Sequence, residues 1–142
     1  EEEKVIMQRM ASTNNNLKAR TVLEPDTLLQ TRGVMDSIYI DDNLQNYILN
    51  IVAATRDPKA HKLPDLSNMI QYGASPRASI FLQRVSKAYA FLQGRGFVVP
   101  HDIKSIGFDV LRHRIILSYE AEAENVSTDD MLQKIFDTIE VP

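Results

Sequence analysis

The residues best suited to chemistry in this sequence are Gly73–Ala78, which read Gly-Ala-Ser-Pro-Arg-Ala and indicate the start of a helix. Ser75 suits the N-cap, because its hydroxyl can accept from a free backbone N–H, and Pro76 suits the first helical position. Arg77 would then follow in the second position, where the helix dipole disfavours a cation by roughly 0.3–1 kcal/mol. A phosphate bound there would reverse that penalty, since helix N-termini and arginines both bind phosphate. An Arg77 side chain that merely extends into water is the alternative.

The other parts of a phosphoryl-transfer site are missing from the sequence. Its five glycines nowhere have the Gly-x-x-x-x-Gly-Lys-Ser/Thr spacing of a phosphate loop. No apolar strand ends in paired acids that could hold magnesium, so this chain alone is expected not to hydrolyse ATP. The three histidines His61, His101 and His113 lie far apart, and none has a carboxylate or a second histidine at i+4 on a shared predicted helix, so we expect no metal site. Nor is there a strained nucleophile turn to support a Ser/His/Asp triad.

Composition restricts the class of protein. A length of 142 residues suits one domain, and the lack of cysteine excludes disulfides and suits a reducing compartment. No apolar run approaches the ~18–20 residues that span a bilayer, so we predict a cytoplasmic protein without a membrane segment. The net charge of −3 argues against a dedicated nucleic-acid binder. The acidic start without an initiator methionine suggests a fragment of a longer protein.

Periodicity and end signals predict a mainly α fold. The predicted helices cover residues 1–10, 25–36, 41–56 and 75–93, a helix that begins at Pro100, and a last helix that begins at Ser127 and ends near Val141 and Pro142. The helix over 41–56 has the clearest pattern, with an inner face of Leu44, Tyr47, Ile48, Ile51 and Val52. This pattern makes Tyr47 a core aromatic residue with its hydroxyl at the edge. The last helix has a capping-box-like start over Ser127–Asp130 and an apolar stripe of Met131, Leu132, Ile135, Phe136 and Ile139. For the helix over 75–93 we predict a buried face, followed by a stop at Gly94. That face comprises Phe81, Val85, Ala88, Tyr89 and Leu92.

The remaining segments are predicted to be short strands or loops. Residues 38–40 and 96–99 are strand candidates, because β-branched and aromatic residues dominate them. Residues 11–20 are predicted to be a linker, 57–72 a loop with a helical turn over 66–70, and 120–125 a loop.

Several segments together resemble the lid region of MoxR-type AAA+ ATPases. Gly73–Ala78 resembles the sensor-2 motif of that family, and Ala54-Thr55-Arg56 resembles the end of its first lid helix. Leu111-Arg112-His113-Arg114 is similar to the basic junction that precedes a closing strand, and residues 1–10 resemble the last helix of the ATPase core. One position departs from the family, because Val99 stands where a threonine usually caps the helix. Asp102 is then left to stabilise that helix start.

The resemblance implies a small helical AAA+ lid bundle with one or two short strands over residues 25–142, preceded over 1–24 by the last core helix and a linker. It implies that Arg77 is a catalytic residue that senses the γ-phosphate of ATP. ATP and its magnesium ion would be held by a core domain that this chain lacks. Further nucleotide-binding residues implied by the resemblance are Ala74, Ser75, Pro76, Tyr47, Arg56 and Arg114. Purely structural roles for Arg56 and Arg114, near helix C-termini, are the alternative.

The function implied is that of a lid that closes over ATP and couples its hydrolysis to chaperone-like remodelling. The implied partners are the chain's own core domain, further copies in a homo-oligomeric ring, and proteins with von Willebrand A-type domains. Two alternatives from other classes stay open. One is a helical protein-interaction domain without a nucleotide role. The other is a nucleic-acid module that uses the stripe Arg77, Arg84 and Lys87, although such a surface needs more positive charge.

Overall fold

The computed structural model describes residues 2–11 and 19–142, and within them the chain is mainly helical with one small two-stranded antiparallel sheet. Three single turns of 3-10 helix lie at Lys59–His61, Pro64–Leu66 and Arg112–Arg114. The predicted fold class is therefore confirmed. The helices and strands are α1 (Glu2–Met10), α2 (Pro25–Asp36), α3 (Asp42–Ala54), β1 (Ile70–Tyr72), α4 (Arg77–Leu92), α5 (Pro100–Leu111), β2 (Ile116–Leu117), α6 (Tyr119–Ala123) and α7 (Thr128–Thr138).

The chain divides into two compact units, residues 1–31 and 32–142. Neither α1 nor α2 has a buried residue. The predicted domain boundary at residue 25 stays a prediction, and most of the predicted linker lies outside the described residues. None of the described helices is long and apolar enough to cross a membrane.

The hydrophobic core lies in the second unit, and α3 and α7 supply more of its buried hydrophobic residues than any other described helix. All five apolar residues predicted for the inner face of α3 are buried, and so is the predicted stripe of α7. Each such side chain contributes roughly 1.5–3 kcal/mol through its burial. Helix α5 packs against both α4 and α7, and its Gly107 leaves room for the Phe136 ring of α7. That ring also packs at 5.3 Å between centroids against Phe108.

The face of α4 that packs into the core is not the one predicted. Its buried residues are Ala78, Leu82, Ser86 and Ala90, whereas Phe81 is 41% exposed and Leu92 is 77% exposed. Three of the four buried side chains are small, and small side chains let two helices approach closely. The sequence pattern identified the stripe of large apolar residues, but the core uses the stripe that allows close packing.

The end of α4 follows the prediction. Gly94 adopts a left-handed conformation with φ of 69°, and its N–H donates to the carbonyl of Phe91 at 2.9 Å. The N–H of Arg95 donates to the carbonyl of Ala90 at 2.9 Å, which completes a Schellman motif.

Three short segments differ from or refine the predictions. Most of the predicted loop over 120–125 is helical, because α6 runs to Ala123 from a start where the Ser118 hydroxyl accepts from the Ala121 N–H. The helical turn expected over 66–70 is wrong, since a 3-10 turn ends at Leu66 and β1 pairs with the distant strand β2. The two strand candidates meet only in a single parallel bridge between Tyr39 and Phe97.

The start of α5 is held by a buried carboxylate. Asp102 is fully buried and accepts from the backbone N–H of Val99 at 2.8 Å, which caps the helix without a threonine. Both of its carboxylate oxygens also accept from the guanidinium of Arg95. Burial alone would raise the pKa of Asp102, but the hydrogen bonds from Arg95 and Val99 lower that pKa below its usual value.

Asp102→Asn is expected to lower the free energy of unfolding by about 2–4 kcal/mol at neutral pH, because it leaves a partly buried arginine without its charge partner. The lowered folded-state pKa means that the carboxylate stabilises the fold above its unfolded-state pKa of about 3.9. This contribution disappears as the pH falls through the folded-state pKa. Urea denaturation should therefore show a large difference in the free energy of unfolding between the Asp102→Asn chain and the unsubstituted chain at pH 7. The difference should be smaller at pH 3.

The matched control is Asp109→Asn, which removes an exposed carboxylate from the same helix at 3.6 Å from the Arg112 guanidinium. That change should cost under about 1 kcal/mol. Equal losses from the two substitutions at pH 7 would contradict the assignment of Asp102 as the anchor of α5.

Candidate functional site

The segment between β1 and α4 is fixed against the C-terminal end of α3 by a close backbone approach. A Cβ placed on Gly73 would overlap the carbonyl group of Thr55 and lie 2.8 Å from the backbone nitrogen of Arg56. Only glycine fits so near another backbone without displacing it. The next residue, Ala74, is fully buried.

Both backbone groups of Ala74 are bonded to consecutive residues at the end of α3. Its N–H donates to the hydroxyl of Thr55 at 2.9 Å, and its carbonyl accepts from Nη1 of Arg56 at 3.3 Å. Thr55 is itself fully buried and donates its hydroxyl proton to the carbonyl of Val52 at 2.7 Å. The position of the sensor-2-like segment is therefore set by α3.

The start of α4 differs in detail from the prediction. Pro76 already has helical dihedrals, with φ of −55° and ψ of −24°, and regular helix is counted from Arg77. The Ser75 hydroxyl caps no N–H in the described part of the chain, so its predicted role as N-cap is wrong. The physical reason is that the Ala78 N–H is already bonded, at 2.8 Å, to the backbone carbonyl of Ser75.

The Arg77 side chain extends from this anchored backbone into solvent. It is exposed, and its guanidinium makes no hydrogen bond or ion pair with any residue that the structure describes. The residue that follows it, Ala78, is fully buried. The exposed residues Ser75, Pro76 and Arg77 are thus held between two buried alanines.

Arg114 lies beside the exposed face of α4 that carries Arg77. Its guanidinium carbon is 4.7 Å from the ring centroid of Phe81, and its Nε donates to the carbonyl of Val110 at 2.8 Å. Phe81 follows Arg77 by four residues, so the two are neighbours on one helix face. The predicted basic junction is confirmed as a 3-10 turn over Arg112–Arg114 that leads into β2.

Tyr47 lies away from this exposed surface. Only 2% of it is exposed, and its hydroxyl is buried without a partner among the described residues. Burial, with a smaller effect from Asp137, raises the pKa of Tyr47 to about 12. The prediction of a core aromatic residue is confirmed, but its hydroxyl is not at the edge. A contact between Tyr47 and a nucleotide stays a prediction.

The structure thus brings Arg56 to the backbone of the sensor-2-like segment and Arg114 to the helix face that carries Arg77. Sequence reasoning missed two participants. Phe81 was assigned to the core, although its spacing from Arg77 could have placed it on the exposed face. Thr55 was predicted only as part of the Ala-Thr-Arg segment. No local pattern indicates that its hydroxyl accepts a hydrogen bond from the backbone N–H of Ala74, 19 residues later. Among the described residues, no cluster of His, Cys, Asp or Glu could hold a metal ion.

The AAA lid domain family matches residues 65–135, which is half of the chain. The chain belongs to this family of AAA lid domains. It is 32% identical to Chaperone MoxR1 of Mycobacterium tuberculosis over 142 residues, which is all of this chain and 37% of that protein. Protein MoxR of Paracoccus denitrificans is 33% identical over 116 residues, which is 78% of this chain and 34% of that protein.

The lid also has a close structural relative. A crystal structure of a candidate ATPase from Cytophaga hutchinsonii matches it with a TM-score of 0.91 and 38% sequence identity, covering 99% of this chain and 42% of that one. The lid spans little more than a third of the length of the MoxR proteins that it matches. The predicted resemblance to MoxR-type ATPases is confirmed.

Gly73→Ala is expected to lower the free energy of unfolding by roughly 1–3 kcal/mol, because the new methyl group can be accommodated only by moving the backbone of Thr55. Gly96→Ala is the matched control, since a Cβ there meets nothing within 4 Å, and it should change stability by less than about 0.5 kcal/mol. Urea denaturation of both variants checks the difference. A Gly73→Ala chain as stable as the Gly96→Ala chain would show that the two backbones are not tightly apposed.

Proposed function

We propose that this chain is the lid of a MoxR-type AAA+ ATPase, which closes over ATP held by a core domain and contacts the γ-phosphate through Arg77. The observation that carries the proposal is the contrast between the backbone and the side chain of Arg77. The backbone is anchored through Gly73 and Ala74 to α3, while the guanidinium has no partner among the described residues. A cation held at a fixed place with no intramolecular role suits an external anion.

The surroundings of Arg77 fit a phosphate group. The N-terminal end of α4 carries a partial positive charge, which disfavours Arg77 alone but favours an anion shared between the arginine and the helix. Arg56 adds a second exposed guanidinium, whose bond to the Ala74 carbonyl uses one of its five N–H groups. ATP would supply the phosphoryl group that is transferred to water, and these cations would stabilise its charge. We propose that a core domain holds the magnesium ion.

The same contact would couple the nucleotide to movement of the lid. While ATP is bound, the γ-phosphate attracts Arg77 and draws the lid toward the core, and its release after hydrolysis removes that attraction. A ligand shifts a conformational equilibrium only by its differential affinity for the two states, and here the γ-phosphate would supply the difference. We propose that a homo-oligomeric ring uses this movement for chaperone-like remodelling, with a von Willebrand A-type protein as a further partner.

Arg77→Ala in the longer ATPase is expected to reduce the turnover of ATP by roughly 10- to 100-fold, because the developing negative charge loses a charged donor. The matched control is Arg84→Ala, which removes an exposed arginine from the same helix seven residues away. It should leave turnover within about twofold, since its distance from the start of α4 removes it from the phosphate. Steady-state ATPase assays check both variants, with thermal unfolding as the test of folding. Normal turnover in a well-folded Arg77→Ala protein would reject the proposal.

A helical protein-interaction domain without a nucleotide role is the second candidate. It is favoured by the exposed apolar residues of α4, among which Ile80 is 57% exposed and Leu92 is 77% exposed. The nucleic-acid alternative loses support, because the Lys87 ammonium donates at 3.0 Å to the carbonyl of Asp36 at the end of α2. An interaction domain would depend on Ile80 and not on Arg77, so the turnover assay separates the two candidates.

A further inference from the structure

We propose that Thr55 is a positioning residue, whose buried hydroxyl fixes the backbone of Ala74 and thereby the direction from which Arg77 reaches the phosphate. This inference rests on the proposed function of Arg77. Thr55 itself touches no nucleotide in this account, because it is fully buried beneath the segment that it holds.

The hydroxyl of Thr55 both donates and accepts a hydrogen bond. It donates to the carbonyl of Val52 at 2.7 Å, which orients its lone pairs, and it accepts from the Ala74 N–H at 2.9 Å. The first bond stays within the end of α3, so on its own it would only support that helix. The second bond joins two segments that are 19 residues apart, and it is the one that places the start of α4.

The path from Ala74 to Arg77 has little freedom. Its length is three residues, and one of them is Pro76, whose ring fixes its φ, here at −55°. On the far side of Arg77, Ala78 is fully buried in the core. A shift of Ala74 must therefore pass to Arg77, because the segment can neither stretch nor swing away from its two buried ends. A misplacement of about 1 Å can reduce a catalytic rate on the order of 100-fold.

Arg56 also holds Ala74, but its contribution differs from that of Thr55. Its bond to the Ala74 carbonyl is longer, at 3.3 Å, and its side chain is exposed, so water can replace the donor. Water has no such access to the Ala74 N–H, which lies with Thr55 in a buried environment. Thr55 is thus the residue whose loss leaves a backbone group unsatisfied.

The test compares Thr55→Val, which keeps the shape of the side chain but removes the acceptor, with Thr55→Ser, which keeps the hydroxyl. In the longer ATPase, Thr55→Val should lower kcat for ATP by roughly 10-fold with a smaller change in KM, and Thr55→Ser should retain most of the activity. Hydrogen exchange of a peptide that contains Ala74, measured by mass spectrometry, should become faster only in the Val variant. If Thr55→Val does not fold, Thr55→Cys provides a weaker acceptor of similar size, with the same expected direction.

Ser86→Ala is the matched control for general damage to the core. Ser86 is also fully buried, and its hydroxyl donates at 2.7 Å to the Leu82 carbonyl within α4, with no bond to the segment over 73–77. It should leave kcat and the exchange of Ala74 unchanged. An equal loss of kcat in Ser86→Ala and Thr55→Val would overturn the inference, because Thr55 would then act only through stability.

The double variant Thr55→Val/Arg77→Ala decides whether Thr55 acts through Arg77. If it does, the double variant turns over ATP no more slowly than Arg77→Ala alone, whereas additive losses would overturn the inference. Unimpaired Thr55→Val beside an impaired Arg77→Ala would overturn the role of Thr55 alone. Normal turnover in Arg77→Ala would reject the proposed function, and the role of Thr55 in turnover with it.

Discussion

The architecture around the site depends on the contact between the end of α3 and the backbone of Gly73 and Ala74. Here a glycine without a side chain lies against the Thr55 peptide, and a buried threonine hydroxyl bonds the Ala74 N–H. Because these interactions are short and shielded from water, they fix where α4 begins. Ala78 is buried in the core on the other side, and the three residues between Ala74 and Ala78 face outward.

Helix α4 has two unlike faces, because one anchors it in the core and the other is exposed. The inner face carries small buried side chains such as Ala78 and Ala90, while the outer face carries Arg77 and Phe81. The Arg114 guanidinium lies over the Phe81 ring, which keeps a second cation beside the outer face without neutralising it. An arginine at the start of a helix is unfavourable without an anionic partner, and it becomes favourable when a phosphate binds beside it.

Local patterns were sufficient where one segment decides its own structure. The capping box of Ser127 and Asp130, the apolar stripe of α7 and the left-handed Gly94 all have the predicted roles. Prediction failed where a distant partner decides. The pairing of β1 with β2 and the choice of the small-residue face of α4 depend on segments far along the chain. In the same way the type and spacing of residues suggested Arg77 as a site residue. Only the folded structure shows that the Thr55 hydroxyl accepts a hydrogen bond from the Ala74 N–H.

The central claim is that Arg77 distinguishes ATP from ADP by its contact with the γ-phosphate. It is tested most directly by measuring the affinities of the longer ATPase for ADP and for a non-hydrolysable ATP analogue, by calorimetry, with and without Arg77→Ala. The account predicts that the unsubstituted protein and Arg84→Ala prefer the ATP analogue, and that Arg77→Ala loses most of this preference while its affinity for ADP changes little. An Arg77→Ala protein that keeps the full preference for the ATP analogue would contradict the account.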